Sequence, residues 1–269
     1  MTTLRSIDLN CDMGEIAALI EDGTQDLLME HVTSVNVACG GHAGDDDTMA
    51  ATIAAARRRG LAVGAHPGYP DPAHFGRRAL TLSSDAVAAS VEEQVARLRE
   101  IAARLGVRLG HVKPHGALYN QAADDPALAL AIAAGVDRAL AGAGEGAASG
   151  VVLVGLAGSR CLEVWRREGY AVAPEAFADR RYEADGRLRS RALPGALLDT
   201  PEDAAGQALA LARDGMVTTF DGRRVAVAAT TLCIHSDTPG AVAIALAVAR
   251  RLAAAGITMA GPPVPIPGA

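Results

Sequence analysis

Along the chain, short runs of apolar and β-branched residues alternate with longer stretches rich in Ala, Leu and Val. SIDLN (6–10), SVNVA (34–38), LAVGA (61–65), LGHVK (109–113), GVVLVG (150–155), YAVAPE (170–175) and VAVAATTLCIH (225–235) have the length and composition of buried strands. Between them the apolar period changes. From 83 to 105, Val87, Val91, Val95, Leu98, Ile101 and Leu105 recur at steps of four and three, one face of an α-helix. Ser83 or Ser84 can cap its start, and Gly106 follows its end. Asp125-Pro126, Thr200-Pro201 and Thr238-Pro239 each set a capping side chain before a proline in the first helical turn. Gly256 stops the helix that follows the last of them.

Strand–helix alternation carried through about seven units predicts a parallel sheet with helices outside. The first strand runs into NCDMGE, with no GxGxxG turn after it. An α/β fold with a closed or nearly closed (β/α) barrel is therefore expected in place of an open doubly wound sheet. One domain is expected over residues 1–258, with the proline-rich end, 259–269, as an extended arm. GAGEGAASG (142–150) reads as a flexible connector.

Composition narrows the function classes. Half the residues are hydrophobic but only 3% are aromatic, so the core must be built from Ala, Val, Leu and Ile. A net charge of −6 argues against a nucleic-acid or anionic-membrane partner, while leaving room for a small anionic substrate bound by local arginines. No stretch approaches the ~20 apolar residues of a membrane span. The first fifteen residues lack the apolar run of a secretory signal, and a cytoplasmic location is expected. Cys11, Cys39, Cys161 and Cys233 have no CxxC spacing and read as free thiols, with Cys11 and Cys39 mainly packing.

In a barrel, chemistry belongs at the C-terminal ends of the strands. Here those ends carry Asn10, Asp12 and Glu15; Asn36, then Gly41, His42 and Asp45; His66; Lys113 and His115; Glu175, then Asp179, Arg180 and Arg181; and His235 and Asp237. Lys113 is the single lysine of the chain, every other basic side chain apart from histidine being Arg. An ammonium kept between two histidines points to a task that a planar guanidinium does not serve. Asp12, His66, Lys113, His115 and His235 are the candidates for proton transfer and charge stabilisation. Asn10, Glu15, Asn36, Gly41, His42, Asp45, Glu175, Arg180 and Asp237 are candidates for substrate binding. One of Asp45, Asp46 and Asp47 is expected to cap the following helix. His111, followed by Val112, is expected to point away from the neighbours of Lys113 and to be structural.

There is no GxxxxGK[ST] nucleotide loop and no GxSxG elbow. Asp12, His42 and His66 form a possible zinc-type set, although neither HEXXH nor paired-Cys spacing is present.

Six ordered blocks, DLNCDMGE, SVNVACGGHAGDD, GAHPGYPD with FGRR, HVKPHGALYN, EAFADRRY and IHSDTPGA, resemble the signature blocks of the LamB/YcsF family, the A subunits of 5-oxoprolinases. The resemblance runs from residue 7 to about 241. It implies a seven-stranded, TIM-like barrel similar to that of the sugar deacetylases, in agreement with the seven units counted above. It also implies ATP-dependent ring opening of 5-oxo-L-proline to L-glutamate, with ADP and phosphate released. ATP, with Mg²⁺, would be co-substrate, and subunits B and C would be partners. On that basis Lys113 and Arg180 would hold phosphoryl or carboxylate charge, and Asp12 or His66 would direct water. His115 or His235 would protonate the departing ring nitrogen. Two other readings fit the same residues: a metal-dependent amide or acetyl hydrolase that needs no ATP, and a non-catalytic subunit that binds the lactam.

Overall fold

Seven of the strands pair side by side and in parallel until the last meets the first. The computed structural model describes residues 6–141, 150–198 and 200–262. In chain order the elements are β1 (Ser6–Met13), α1 (Ala17–Glu21), α2 (Thr24–Met29), β2 (Ser34–Ala38), α3 (Asp46–Arg58), β3 (Ala62–His66), α4 (Ser84–Arg104), β4 (Leu109–Val112), α5 (Gly116–Ala122), α6 (Pro126–Ala141), β5 (Val152–Leu156), α7 (Arg160–Arg167), β6 (Ala171–Phe177), α8 (Pro201–Asp214), β7 (Met216–Thr218), β8 (Arg224–Ala226), β9 (Thr231–Ile234), α9 (Ala241–Ala254) and β10 (Thr258–Met259). The barrel order is β1-β2-β3-β4-β5-β6-β9, closed by pairing of β9 with β1. β10 adds to the start of β1 through Ser6–Thr258 and Ile7–Met259. The connector at 142–149 and the arm from 263 onward lie outside the described residues.

Local chemistry sets the helices where the sequence placed them. Asp45 accepts from the Thr48 amide, and Thr48 returns a bond to the Asp45 backbone, a capping box on α3. Ser83, Asp125 and Thr200 cap α4, α6 and α8. The expected face of α4 is the buried one, through Val87, Val91, Val95, Leu98 and Ile101.

Two expected elements differ. VAVAATTLCIH is not one strand: Arg224–Ala226 forms an antiparallel hairpin with β7 outside the barrel, and only Thr231–Ile234 joins the barrel. Arg224 and Ala226 are exposed, and a strand wet on one face does not belong in a sheet buried on both. Thr238 does not cap α9. Gly240 occupies that position, and the Thr238 hydroxyl donates instead to Asp179.

Alternation along each strand divides two interiors. Ile7, Leu9, Cys11, Met13, Val35, Val37, Ala65, Val112, Ala176, Leu232 and Ile234 join the apolar layer under the helices. Their neighbours one residue away, Asp8, Asn10, Asp12, Ser34, Asn36, His66, His111, Lys113, Glu175 and Thr231, are buried and bonded to one another in the lumen. Val152, Val154 and Ala173 form a small separate apolar cluster. A barrel lumen usually fills with branched apolar side chains; most of this one fills with polar groups. His111 thus shares the inward face of Lys113, contrary to the expectation that it points away, because residues two apart in a strand face the same side. Its ring lies across Gly64, where a Cβ would meet it at 2.2 Å, so this strand position admits no side chain.

Asp8 is the floor. It accepts from Thr33 Oγ1 (2.7 Å), Ser34 Oγ (2.9 Å) and Thr231 Oγ1 (2.5 Å), yet burial outweighs those donors and raises its pKa to about 6. The folded state therefore holds this proton more tightly than the unfolded chain, whose value is 3.8. The associated stability is complete below that value and is lost as pH rises through about 6, on the order of 3 kcal/mol at ~1.4 kcal/mol per unit. Urea unfolding measured from pH 4 to 7 should show this downward slope, and Asp8→Asn should flatten it. An unchanged slope in the variant would assign it to other groups.

Candidate active site

The layer above Asp8 is Asn10, Asn36, His111 and Glu175. His111 Nε2 donates to Asn36 Oδ1 (2.7 Å). Asn36 Nδ2 donates to Asn10 Oδ1 and to Asp12 Oδ1 (both 2.7 Å), and Asn10 Nδ2 donates to Glu175 Oε1 (3.0 Å). Burial pulls His111 down to about 3, so it is a neutral ring that orients its neighbours. Lys113 rises from this layer with its Nζ 2.8 Å from Asp12 Oδ1, 2.9 Å from Glu175 Oε1 and 3.2 Å from Cys233 Sγ. Burial opposes its charge, but Asp12, Cys233 and Glu175 outweigh that and hold its pKa well above the usual value.

The strand ends then gather histidines around one carboxylate oxygen. Glu15 Oε1 lies 2.9 Å from His42 Nε2, 3.0 Å from His115 Nδ1 and 3.6 Å from His66 Nε2. His66 Nε2 is also 3.3 Å from Asp12 Oδ2 and 3.0 Å from His115 Nδ1. The His42 and His115 rings stack in parallel with centroids 3.6 Å apart. Burial raises the Glu15 and Asp12 pKa values, but the histidines beside both, and Lys113 beside Asp12, more than reverse this and hold both below the usual range. Burial brings His42 down to about 4 and lowers His115. His66 moves the other way: burial lowers it, but Asp12 and Glu15 raise it further.

Across the cavity, His235 Nδ1 lies 3.0 Å from Asp179 Oδ2, and its ring stacks on Phe177. Asp179 also accepts from the His235 amide and from Thr238 Oγ1, and although burial raises its pKa, His235 holds it at about 2. This is the geometry of a general acid–base held in one tautomer by a carboxylate, with the other ring nitrogen left for a substrate. The cavity has a volume of about 620 Å³, with Tyr119 and Phe177 in its wall and Arg77, Arg180, Arg187, Arg189 and Arg191 around it. Arg77 and Arg191 pair with Asp237, and Arg187 pairs with Asp124. Arg180 hydrogen-bonds the carbonyls of Ala196 and Arg189.

Asp12, Glu15, His66, Lys113, His115, Arg180 and His235 all line this cavity. Other expected substrate contacts lie elsewhere. Asn10, Asn36 and Glu175 sit one layer beneath it, and His42 stands behind Glu15. Gly41 packs against the Gln94 amide, so its glycine-rich stretch does not open to the cavity. Asp45 is exposed and committed to its capping box. Asp237 holds rim arginines. The set Asp12, His42 and His66 is not the one that converges; Glu15, His42, His66 and His115 do. The sequence reading singled out none of Arg77, Tyr119, Phe177, Arg187, Arg189 or Arg191. Burial drives the Cys11 and Cys233 thiols well above their usual pKa and Cys39 to about 12, so none of these is a ready nucleophile.

The model of the LamB/YcsF family matches residues 7–265. A Chloroflexus aggregans protein named as the A subunit of 5-oxoprolinase is 49% identical over 96% of this chain and 99% of its own length. A Methylococcus capsulatus protein of the same name is 47% identical over 95% of both chains. Among solved structures, the lactam utilization protein of Thermus thermophilus superposes with a TM-score of 0.83 at 39% identity, covering 95% of this chain and 99% of that one.

The Lys113 ammonium is the partner of two buried carboxylates, so Lys113→Met should cost about 3–5 kcal/mol in urea unfolding. Adding Asp12→Asn should recover at least about 1 kcal/mol, because it removes one stranded charge. A single variant within about 1 kcal/mol of the parent would show that the pair does not hold the lumen together.

Proposed function

The chain belongs to the LamB/YcsF family, and on that premise we propose that it is the A subunit of a 5-oxoprolinase, opening the ring of 5-oxo-L-proline to L-glutamate at the expense of ATP. The observation that carries the reading is near-full-length identity to relatives that bear that name. The cavity supplies groups suited to the chemistry. A five-membered lactam is a stable amide, and transfer of the γ-phosphoryl group to its carbonyl oxygen makes the ring carbon open to water. Ring nitrogen leaves with a proton, and a second water frees phosphate from the resulting acyl phosphate.

In this scheme the rim arginines, Arg180 foremost, receive the carboxylate and phosphoryl charge. Arg180 suits that role because its hydrogen bonds go to main-chain carbonyls, leaving its charge free of a bonded carboxylate among the described residues. Asp12 and His66 orient the attacking water. His235, held by Asp179, donates the proton to the ring nitrogen, while Lys113 fixes Asp12 and faces the developing negative charge. Phe177 and Tyr119 enclose the ring. ATP, with Mg²⁺, enters as co-substrate. The chain has no P-loop, so the arginine rim, shared with subunits B and C, is its phosphate-binding surface in this reading.

Glutamate and phosphate release from 5-oxoproline, ATP and Mg²⁺ should require this chain together with B and C. In that mixture His235→Asn should lower kcat by about 10²–10⁴-fold with KM little changed. Lys113→Arg should also lose turnover. Absence of glutamate from a mixture of folded subunits would overturn the reading. Release by this chain alone without ATP would favour a metal-dependent hydrolase.

A further inference from the structure

His66 and His115 each spend one ring nitrogen on a main-chain carbonyl. His66 Nδ1 donates to Lys113 O (2.7 Å), and His115 Nε2 donates to Phe75 O (2.9 Å). A carbonyl only accepts, so both rings carry their proton on the outer nitrogen. In the neutral rings the inner nitrogens are then lone pairs, and they face each other at 3.0 Å with Glu15 Oε1 3.0 and 3.6 Å away. Three acceptors converge with no donor between them, and this arrangement needs a positive charge at its centre.

We propose that Glu15, His66 and His115 bind one divalent transition-metal ion of the zinc type, with the remaining coordination position open to the cavity. The separations fit. Ligands about 2.0–2.1 Å from a tetrahedral zinc lie roughly 3.3 Å apart, and the three distances here bracket that value. A point about 2 Å from all three atoms lies within about 1 Å of their plane, as three ligands with a vacant fourth position require. Ligating histidines characteristically give their other N–H to a carbonyl or carboxylate, which fixes tautomer and ring direction; both of these do.

The surroundings hold the set rigid. His42 reaches Glu15 Oε1 from behind and stacks on His115, orienting both without lining the cavity. Phe75, whose carbonyl holds His115, is at φ 54°, a left-handed conformation that strains a non-glycine residue. Next to it, Gly76 admits no Cβ, which would lie 2.7 Å from that of His42. The second cluster, Asp12, Cys233 and His235, is a poorer site, since Cys233 faces the Lys113 ammonium and His235 is paired with Asp179. An ion at the first cluster would supply Lewis-acid polarisation to a carbonyl or water in the cavity. The inference stands on the ligand geometry and does not depend on which reaction the cavity runs.

The test uses the full chain without a polyhistidine tag, loaded with Zn²⁺ or Co²⁺ and desalted. Elemental analysis should give one ion per chain, and the cobalt form should show visible d–d absorption of a low-symmetry N/O site. Competition with a chromophoric chelator should show at least about 100-fold weaker binding in Glu15→Gln and in His115→Gln, about 10-fold weaker in His42→Gln, and no change in His74→Gln. Circular dichroism of each variant separates lost binding from lost fold, and the milder His42→Gln carries the test if a ligand variant unfolds. No retained ion in the folded parent, or equal retention by the folded Glu15→Gln/His115→Gln pair, overturns the proposal in favour of a shared proton. The readout is metal content and spectrum, so failure here leaves the ring-opening reading intact, and failure of glutamate release leaves this site intact.

Discussion

A buried ammonium shared between two carboxylates is the constraint on which the rest of the lumen depends. Asp12 and Glu175 on different strands are both buried, and an isolated buried carboxylate is too costly to keep ionised. Lys113 makes both tolerable, and in doing so ties β1, β4 and β6 together at one level of the barrel. Arginine would bring a fork of five donors to a place where the acceptors are arranged around a point charge. A chain that otherwise uses only arginine among its long basic side chains therefore keeps its one lysine here.

Everything beneath and above follows from satisfying that pair. Asn10 and Asn36 relay hydrogen bonds from the carboxylates to His111, and Gly64 makes room for the His111 ring. Asp8 ends the polar column on three hydroxyls. Above, Asp12 turns its second oxygen toward His66, which begins the histidine cluster. Each member of a polar column of this kind is specified by its neighbours, so the site is preorganised by the same bonds that tie the strands together.

Much of this was legible in the sequence, for identifiable reasons. Strand positions, helix caps and the seven-unit alternation rest on local patterns, and they survive in the structure except where Arg224–Ala226 and Thr238 answer to tertiary partners. The residues at strand ends were readable because a barrel sends strand ends to one rim. Depth was not. Asn10, Asn36 and Glu175 belong to the same inward faces as the cavity residues and differ only by one step of two along the strand. The spacing Asp8-Asn10-Asp12, Ser34-Asn36 and His111-Lys113 is the signal that identifies a polar lumen, and it would have turned His111 inward. Most of the rim arginines come from the irregular segment 180–191, whose path no local pattern gives; Tyr119 sits on α5 and Phe177 ends β6, where each reads as ordinary core.

The two regions of charge have opposite sign, and that is what gives the cavity a direction. Five arginines surround its wall and mouth, four of them paired with Asp237, Asp124 or Glu183, while Asp12, Glu15 and Glu175 lie at or below its floor. The charged end of an anionic molecule is favoured beside Arg180, which no carboxylate bonds among the described residues, and disfavoured among the floor carboxylates. The neutral part of the molecule is then the part that reaches the histidines. The same division sets apart two kinds of histidine: His235 has a single carboxylate, Asp179, to orient it, whereas His66 and His115 stand among the carboxylates Asp12 and Glu15 at the floor.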